Sequence, residues 1–275
     1  MKKISMNHII IGGGEPFALI AGPCVIEDRE VTRNIALVLK DMTKDLGIRL
    51  IFKASYDKAN RTSWDSFRGP GLKEGLDVLG SIREDFGIPV LSDVHRFEEI
   101  DEAASVLDII QVPAFLCRQT DFIQEVARKA KIINIKKGQF LAPWDVAPII
   151  EKARKAGNDN ILITERGTSF GYNNLIADMR SLPIIRGLGY PVVFDGTHSV
   201  QLPGGLGHVS GGQREMVPSL SMAAVAVGID ALFLEVHPDP ESALCDGPNS
   251  LRLDDLPLLL EDLKEVDRIA KRRMR

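Results

Sequence analysis

The chain has 275 residues, 44% of them hydrophobic and 26% charged, an ordinary balance for a globular protein with a sizeable core and one that excludes general disorder. A formal net charge of -4 argues against a nucleic-acid partner, which calls for a basic surplus on one face or tail. Three cysteines, Cys24, Cys117 and Cys245, are too few and too widely spaced for a disulfide framework and favour a reducing compartment.

The elements are predicted in chain order from hydrophobic pattern. Residues 9–11 are a short apolar run followed by three glycines, which reads as a strand or hairpin start rather than a secretory signal. Eight short apolar, β-branched runs come next, at residues 17–21, 49–54, 89–92, 107–112, 132–135, 161–164, 191–194 and 231–235. Amphipathic segments at 30–46, 73–86, 97–105, 121–129, 143–156 and 219–227 separate them, and a last one at 254–271 follows the eighth run. Continuous apolar runs mark parallel strands buried on both faces, and alternation with helices marks βαβ units. Eight such strands predict a closed (β/α)8 barrel rather than an open doubly wound sheet. No linker or repeat divides the chain, so one catalytic domain over residues 1–275 is expected. No apolar stretch approaches the roughly 20 residues of a membrane span, so a cytoplasmic protein without a membrane partner is expected.

Barrel active sites lie at the C-terminal ends of the strands, and those positions are rich in chemistry. After the first run, Ala21-Gly22-Pro23-Cys24 makes a stiff turn that aims Cys24 across the mouth; alternatively Cys24 is a small buried hydrophobe. The second run ends in Lys53 and leads through Lys58, Asn60, Arg61, Thr62 and Ser63 to Arg68, a dense set of anion donors. A solvated charged loop is the bland alternative, but an unpaired ammonium at the end of an apolar strand is costly unless it meets an anion. Asp93 and His95 follow the third run, Gln111 closes the fourth, and Arg118 precedes the next helix. Lys136 and Lys137 follow the fifth run, and Glu165 and Arg166 the sixth. Together these residues predict a cationic mouth that holds more than one phosphate or carboxylate.

The seventh run leads into Asp195-Gly196-Thr197-His198 and the eighth into Glu235, with Asp246 beyond it. Because the first, seventh and eighth strands are neighbours in a closed barrel, Cys24, His198, Glu235 and Asp246 form a candidate divalent-metal site, the alternative being a metal-free histidine–carboxylate cluster. Residues 201–214 make a polar, glycine-rich loop beside the mouth, either a lid or disordered.

Long motifs now carry a resemblance. AGPC at 21–24, FKASYDKANRTS at 52–63, PAFLCRQTD at 113–121, KKGQF at 136–140, TERGTSFGYNNL at 164–175, FDGTHSVQLPGG at 194–205 and EVHPDP at 235–240 resemble the 3-deoxy-D-manno-octulosonate 8-phosphate synthases, also called 2-dehydro-3-deoxyphosphooctonate aldolases. The resemblance runs from about Phe17 to the last helix and implies condensation of phosphoenolpyruvate with D-arabinose 5-phosphate, a step toward the lipopolysaccharide inner core. It implies that Lys53, Lys136 and Arg166 hold phosphoenolpyruvate, with Arg118 reaching across a subunit interface of a homotetramer. Lys58, Asn60, Arg61, Thr62 and Ser63 would hold the acceptor sugar, and Asp93 and Gln111 complete the substrate-binding set. The expected catalytic residues are Lys53, Lys58, Asn60, Lys136, Arg166, His198 and Asp246.

The family has a metal-requiring branch with cysteine after AGP, and Cys24 places the chain there, with Cys24, His198, Glu235 and Asp246 as ligands of a divalent ion drawn from Zn, Fe, Mn, Co or Cd. One departure stands out: the CDGPNS stretch at 245–250 also resembles the metal-independent branch. Two rival functions remain. One is the related synthase that condenses phosphoenolpyruvate with erythrose 4-phosphate, whose acceptor loop reads KPRTS where this chain has Lys58-Ala59-Asn60-Arg61-Thr62-Ser63. The other is a non-catalytic sugar-phosphate sensor, which would need neither the phosphoenolpyruvate cations nor the metal ligands.

Overall fold

The computed structural model describes residues 1–61, 63–204 and 211–274. An antiparallel hairpin, β1 (Lys3–Met6) and β2 (Ile9–Gly12), opens the chain. Strand β3 (Ala18–Gly22) then leads to α1 (Arg29–Leu46), β4 (Arg49–Lys53) to α2 (Leu72–Phe86), β5 (Val90–Asp93) to α3 (Ile100–Val106), and β6 (Ile109–Val112) to α4 (Thr120–Lys129). Next come β7 (Ile132–Lys136), α5 (Ala147–Lys155), β8 (Ile161–Glu165), a small hairpin of β9 (Thr168–Ser169) and β10 (Leu175–Ile176), and α6 (Ser181–Arg186). The chain closes with β11 (Val192–Asp195), the pair β12 (Gln201–Leu202) and β13 (Gly211–Gly212), α7 (Val217–Val227), β14 (Ala231–His237), β15 (Leu251–Arg252) and α8 (Leu256–Met274).

Strands β3, β4, β5, β6, β7, β8, β11 and β14 pair in parallel in that order, and β14 pairs with both β11 and β3, which closes the sheet into the predicted barrel. Every residue of β3, β5, β6, β7, β8, β11 and β14 is buried, because helices cover the outer face and side chains fill the inner one. The N-terminal hairpin caps the lower end. Its Ile4, Met6, Ile9 and Ile11 pack in one apolar cluster with the inward residues Ile20, Ile51, Leu91, Ile109, Ile132, Leu162, Val193 and Phe233. The lower half is therefore dry and packed, leaving the upper end to the polar side chains.

The strands differ from the sequence-based expectation at their upper ends. Where the apolar runs stop at 92, 135, 164, 194 and 235, the strands continue to Asp93, Lys136, Glu165, Asp195 and His237. The ladder explains this: Lys136 is in register with Thr164, Glu165 with Phe194 and Asp195 with Phe233, so backbone pairing persists past the change in side-chain polarity. Several mouth residues are thus anchored on the sheet rather than on loops. Helix α6, absent from the expected segments, is six residues long and contains Pro183, too short to display a helical period.

Candidate active site

The upper end of the barrel opens into a cavity of about 230 Å³, lined by Lys53, Lys58, Asn60, Arg61, Lys136, Arg166 and other polar groups. Its cations are held by carboxylates that reach in from alternate strands, the arrangement by which barrel interiors stack in layers. Lys136 of β7 meets Asp195 Oδ2 of β11 at 2.8 Å, and Lys53 of β4 meets Glu235 Oε1 of β14 at 3.4 Å. Lys58 Nζ approaches the same Glu235 oxygen at 3.8 Å. The Phe233 ring forms a floor, 4.4 Å from Lys136 Nζ, where the π face favours a cation.

Lys53 is 2% exposed and also donates to Cys24 O at 3.2 Å and Ser55 Oγ at 2.9 Å. Ser55 Oγ in turn donates to Asp93 Oδ1 at 2.6 Å, and Asp93 Oδ2 lies 2.9 Å from His95 Nε2. Burial opposes ionisation of Asp93, but His95, Lys53 and Lys58 outweigh it and hold the carboxyl well below its ordinary value. Burial likewise pushes against Asp195, which His198 and Lys136 keep ionised. Lys136 and Arg166 are pulled below their ordinary values by burial, although Asp195 opposes this at both. These cations are short of solvation, and an arriving anion would supply it. Gln111 accepts from Asn134 Nδ2 at 2.9 Å, Asn134 accepts from Thr164 at 2.8 Å, and Arg166 donates to Gln201 at 3.1 Å.

The metal-type donors gather on the other side of the cavity. Asp195 accepts from His198 N at Oδ1 and stands with Oδ2 2.8 Å from His198 Nδ1, while Nε2 faces Glu235 Oε2 at 3.8 Å and Asp246 Oδ2 at 3.9 Å. A carboxylate behind the imidazole is the usual support of a metal-binding histidine. Glu235 Oε2 is buried and accepts no hydrogen bond from the described residues, a cost that a bound cation would remove. Cys24 Sγ stands 3.4 Å from Asp246 Oδ2 and 3.0 Å from Cys245 Sγ. The donor atoms form two overlapping triads, His198–Glu235–Asp246 and Cys24–Cys245–Asp246, hinged on Asp246. Asp246 has φ 49°, a left-handed backbone uncommon for a non-glycine residue and often found at functional sites. Sulfur, imidazole and carboxylate together fit a divalent ion such as zinc.

Of the residues expected from sequence, Lys53, Lys58, Asn60, Arg61, Asp93, Gln111, Lys136, Arg166, His198 and Asp246 line one cavity, with Glu235 buried beneath them and Cys24 beside them. Ser63 is half-buried and does not line it, and Thr62 lies outside the described residues. Arg118 is exposed and also away from the cavity wall. Arg68, the far end of the cationic run, grips Asp57 with Nε at 2.7 Å from Oδ1 and is a structural clamp instead. Lys137 turns away from the mouth, to Leu141 O at 3.1 Å and Glu165 at 3.5 Å, because alternate residues of an extended segment face opposite sides. Residues 205–210 of the expected lid lie outside the described residues, while Gln201, Pro203 and Gly204 line the cavity. His95, expected at the mouth but given no binding role, lines it two positions beyond Asp93; Phe115 and Gln139 line it too and are not among the expected site residues.

The family model described as "DAHP synthetase I family" matches residues 1–272, so the chain belongs to that class of barrel protein. It is 62% identical over 271 residues to the 2-dehydro-3-deoxyphosphooctonate aldolase of Geotalea uraniireducens (strain Rf4), spanning 98% of this chain and 100% of that protein. The protein of the same name from Desulfosudis oleivorans (strain DSM 6200 / JCM 39069 / Hxd3) is 62% identical over 268 residues, 97% of this chain and 96% of that one. That from Geobacter sulfurreducens (strain ATCC 51573 / DSM 12127 / PCA) is 59% identical over 270 residues, 98% of this chain and 99% of that one. Within its class the chain belongs to the 2-dehydro-3-deoxyphosphooctonate aldolase family, the 3-deoxy-8-phosphooctulonate synthases.

Burial alone would raise the Glu235 carboxyl, but His198, Lys58, Lys53 and Lys136 lower it from an ordinary 4.5 to about 2. A carboxyl depressed on folding contributes stability above its unfolded value and loses it as pH falls through the folded one. The denaturant midpoint of the metal-free protein is therefore expected to drop between pH 4.5 and about 2, and that of Glu235→Gln to drop less steeply over the same window. Parallel curves for the two proteins would contradict this electrostatic picture.

Proposed function

We propose that the cavity condenses phosphoenolpyruvate with D-arabinose 5-phosphate and water, releasing inorganic phosphate and 3-deoxy-D-manno-octulosonate 8-phosphate for the lipopolysaccharide inner core. The observation that carries the residue assignment is that one cavity is lined by two sets of anion donors. Buried Lys53, Lys136 and Arg166 at the strand ends form the first, and the loop residues Lys58, Asn60 and Arg61 form the second, with Lys53 and Lys58 meeting at Glu235 Oε1. The first group takes the phosphate and carboxylate of phosphoenolpyruvate, and the second takes the phosphorylated acceptor. Two polyanions repel each other in water; fixed cations remove that barrier and hold them in reacting geometry.

C3 of phosphoenolpyruvate attacks the sugar aldehyde, water adds at C2, and phosphate leaves with cleavage of its C–O bond. Lys136 and Arg166 stabilise the departing phosphate, and Asp195 holds Lys136 and His198 in place during the reaction. Cys24, His198, Glu235 and Asp246 would hold a divalent ion whose Lewis acidity serves to orient and polarise the aldehyde. The barrel acts as one catalytic domain, and its three free cysteines suit a reducing cytoplasm. Among the described residues no helix is long and apolar enough to cross a membrane.

A homotetramer is part of the same reading. The loops after β6, β7 and β8 expose Phe115, Phe140, Trp144, Phe170 and Tyr172 around the mouth, and Tyr172 is 98% exposed near the tip of the β9–β10 hairpin. Exposed apolar side chains of this kind favour burial between copies, and Arg118, exposed and away from its own cavity wall, would complete a neighbour's site.

Phosphate release from phosphoenolpyruvate is expected with arabinose 5-phosphate and not with erythrose 4-phosphate. Chelator or Cys24→Ala should cut it by about 100-fold or more while the fold survives, in line with loss of a metal's contribution. Preference for erythrose 4-phosphate would reverse the substrate assignment, and full activity of Cys24→Ala in chelator would remove the metal from it. Light scattering should give four times the 30.2 kDa chain mass. A monomer at working concentration would overturn the shared-site reading of Arg118.

A further inference from the structure

Cys245 has no part in the function proposed so far, yet it is 2% exposed and belongs to the donor triad with Cys24 and Asp246, which meets the His198–Glu235 pair through Asp246. Its sulfur faces Cys24 Sγ at 3.0 Å and receives Arg61 Nη1 at 2.9 Å. The ligand atoms of Cys24, Cys245 and Asp246 all lie within 4.8 Å of one another. Two sulfurs bound to one zinc-sized ion, each at about 2.3 Å with a tetrahedral angle between them, stand about 3.8 Å apart. The two thiols therefore need to part by less than about 1 Å to share an ion.

Local backbone brings this about. The left-handed turn at Asp246, φ 49°, is pinned where Asp246 O accepts from Asn249 N at 3.0 Å and Ser250 N at 3.1 Å. Adjacent residues Cys245 and Asp246 thereby both reach the Cys24 sulfur. A second sulfur changes what the site selects. Thiolates are soft donors that prefer zinc, cadmium and cobalt, whereas manganese and magnesium prefer oxygen. The Arg61 guanidinium beside the sulfur supplies a compensating positive charge from the acceptor loop.

We infer that Cys245 is a second sulfur donor to the cation held by Cys24, His198, Glu235 and Asp246, and that it biases the site toward thiophilic divalent ions. This rests on the metal reading under Proposed function. Each thiol loses its proton to solvent as its sulfur binds the ion, so two protons leave the sulfurs per ion bound.

The test titrates cadmium into reduced, metal-free, full-length protein and follows the sulfur-to-cadmium charge-transfer band, with proton release measured calorimetrically in buffers of different ionisation enthalpy. The wild type should bind one cadmium per chain with about two protons released and about twice the band intensity of Cys245→Ser or Cys24→Ser. Zinc-over-manganese preference in competition should fall at least about 10-fold in Cys245→Ser. Equal band intensity in wild type and Cys245→Ser, with one proton released by the wild type, overturns this inference and leaves the metal site standing. Absence of stoichiometric cadmium binding, or a band that survives Cys24→Ser undiminished, overturns the metal reading itself. Release of one proton rather than two by the wild type alone also overturns the inference, and that readout does not depend on either variant folding.

Discussion

The site depends on two buried ion pairs, Lys136 with Asp195 and Lys53 with Glu235, each joining alternate strands across the top of the barrel. A buried ammonium without an anion would cost several kcal/mol, and its pair roughly recovers that cost rather than adding stability. What the pairs provide is position. They hold charged donors on rigid strand ends before any substrate arrives, where a loop lysine would have to be ordered at each turnover.

Each carboxylate also has a second duty. Asp195 orients His198 while neutralising Lys136, and Glu235 offers Oε1 to Lys53 and Lys58 while Oε2 stays open toward His198. The phosphate-type and metal-type halves of the cavity are thus coupled through shared side chains, so a change at either carboxylate should disturb both. Below them Phe233 separates this charged layer from the apolar cluster that the N-terminal hairpin seals. The dry floor strengthens every electrostatic contact above it.

The barrel was legible because parallel strands covered on both faces are continuous apolar runs, and eight of them can be counted. The mouth was legible for a related reason: a lysine ending such a run, as at Lys53 or Lys136, has few places to go but the barrel interior. Contacts that depend on tertiary partners were not. Arg68 shares a dense cationic run with Arg61, and only the structure shows that Asp57 captures the former. Lys137 differs from Lys136 by one position in an extended segment, and alternation turns it to Glu165. Cys245 lies more than two hundred residues from Cys24, and no periodicity could pair them. The expected metal quartet is present as two triads sharing Asp246, with Cys245 beside Cys24 as a member that its place in the sequence did not suggest.

The central claim is that strand-end cations, preset by buried carboxylates, bind phosphoenolpyruvate. It is tested most directly by calorimetric titration of phosphoenolpyruvate into the wild type and Lys136→Met without acceptor sugar. Loss of a charge-assisted contact worth about 1.5–3 kcal/mol predicts a dissociation constant about 10- to 100-fold weaker in the variant. An unchanged constant in a folded Lys136→Met protein would contradict the account.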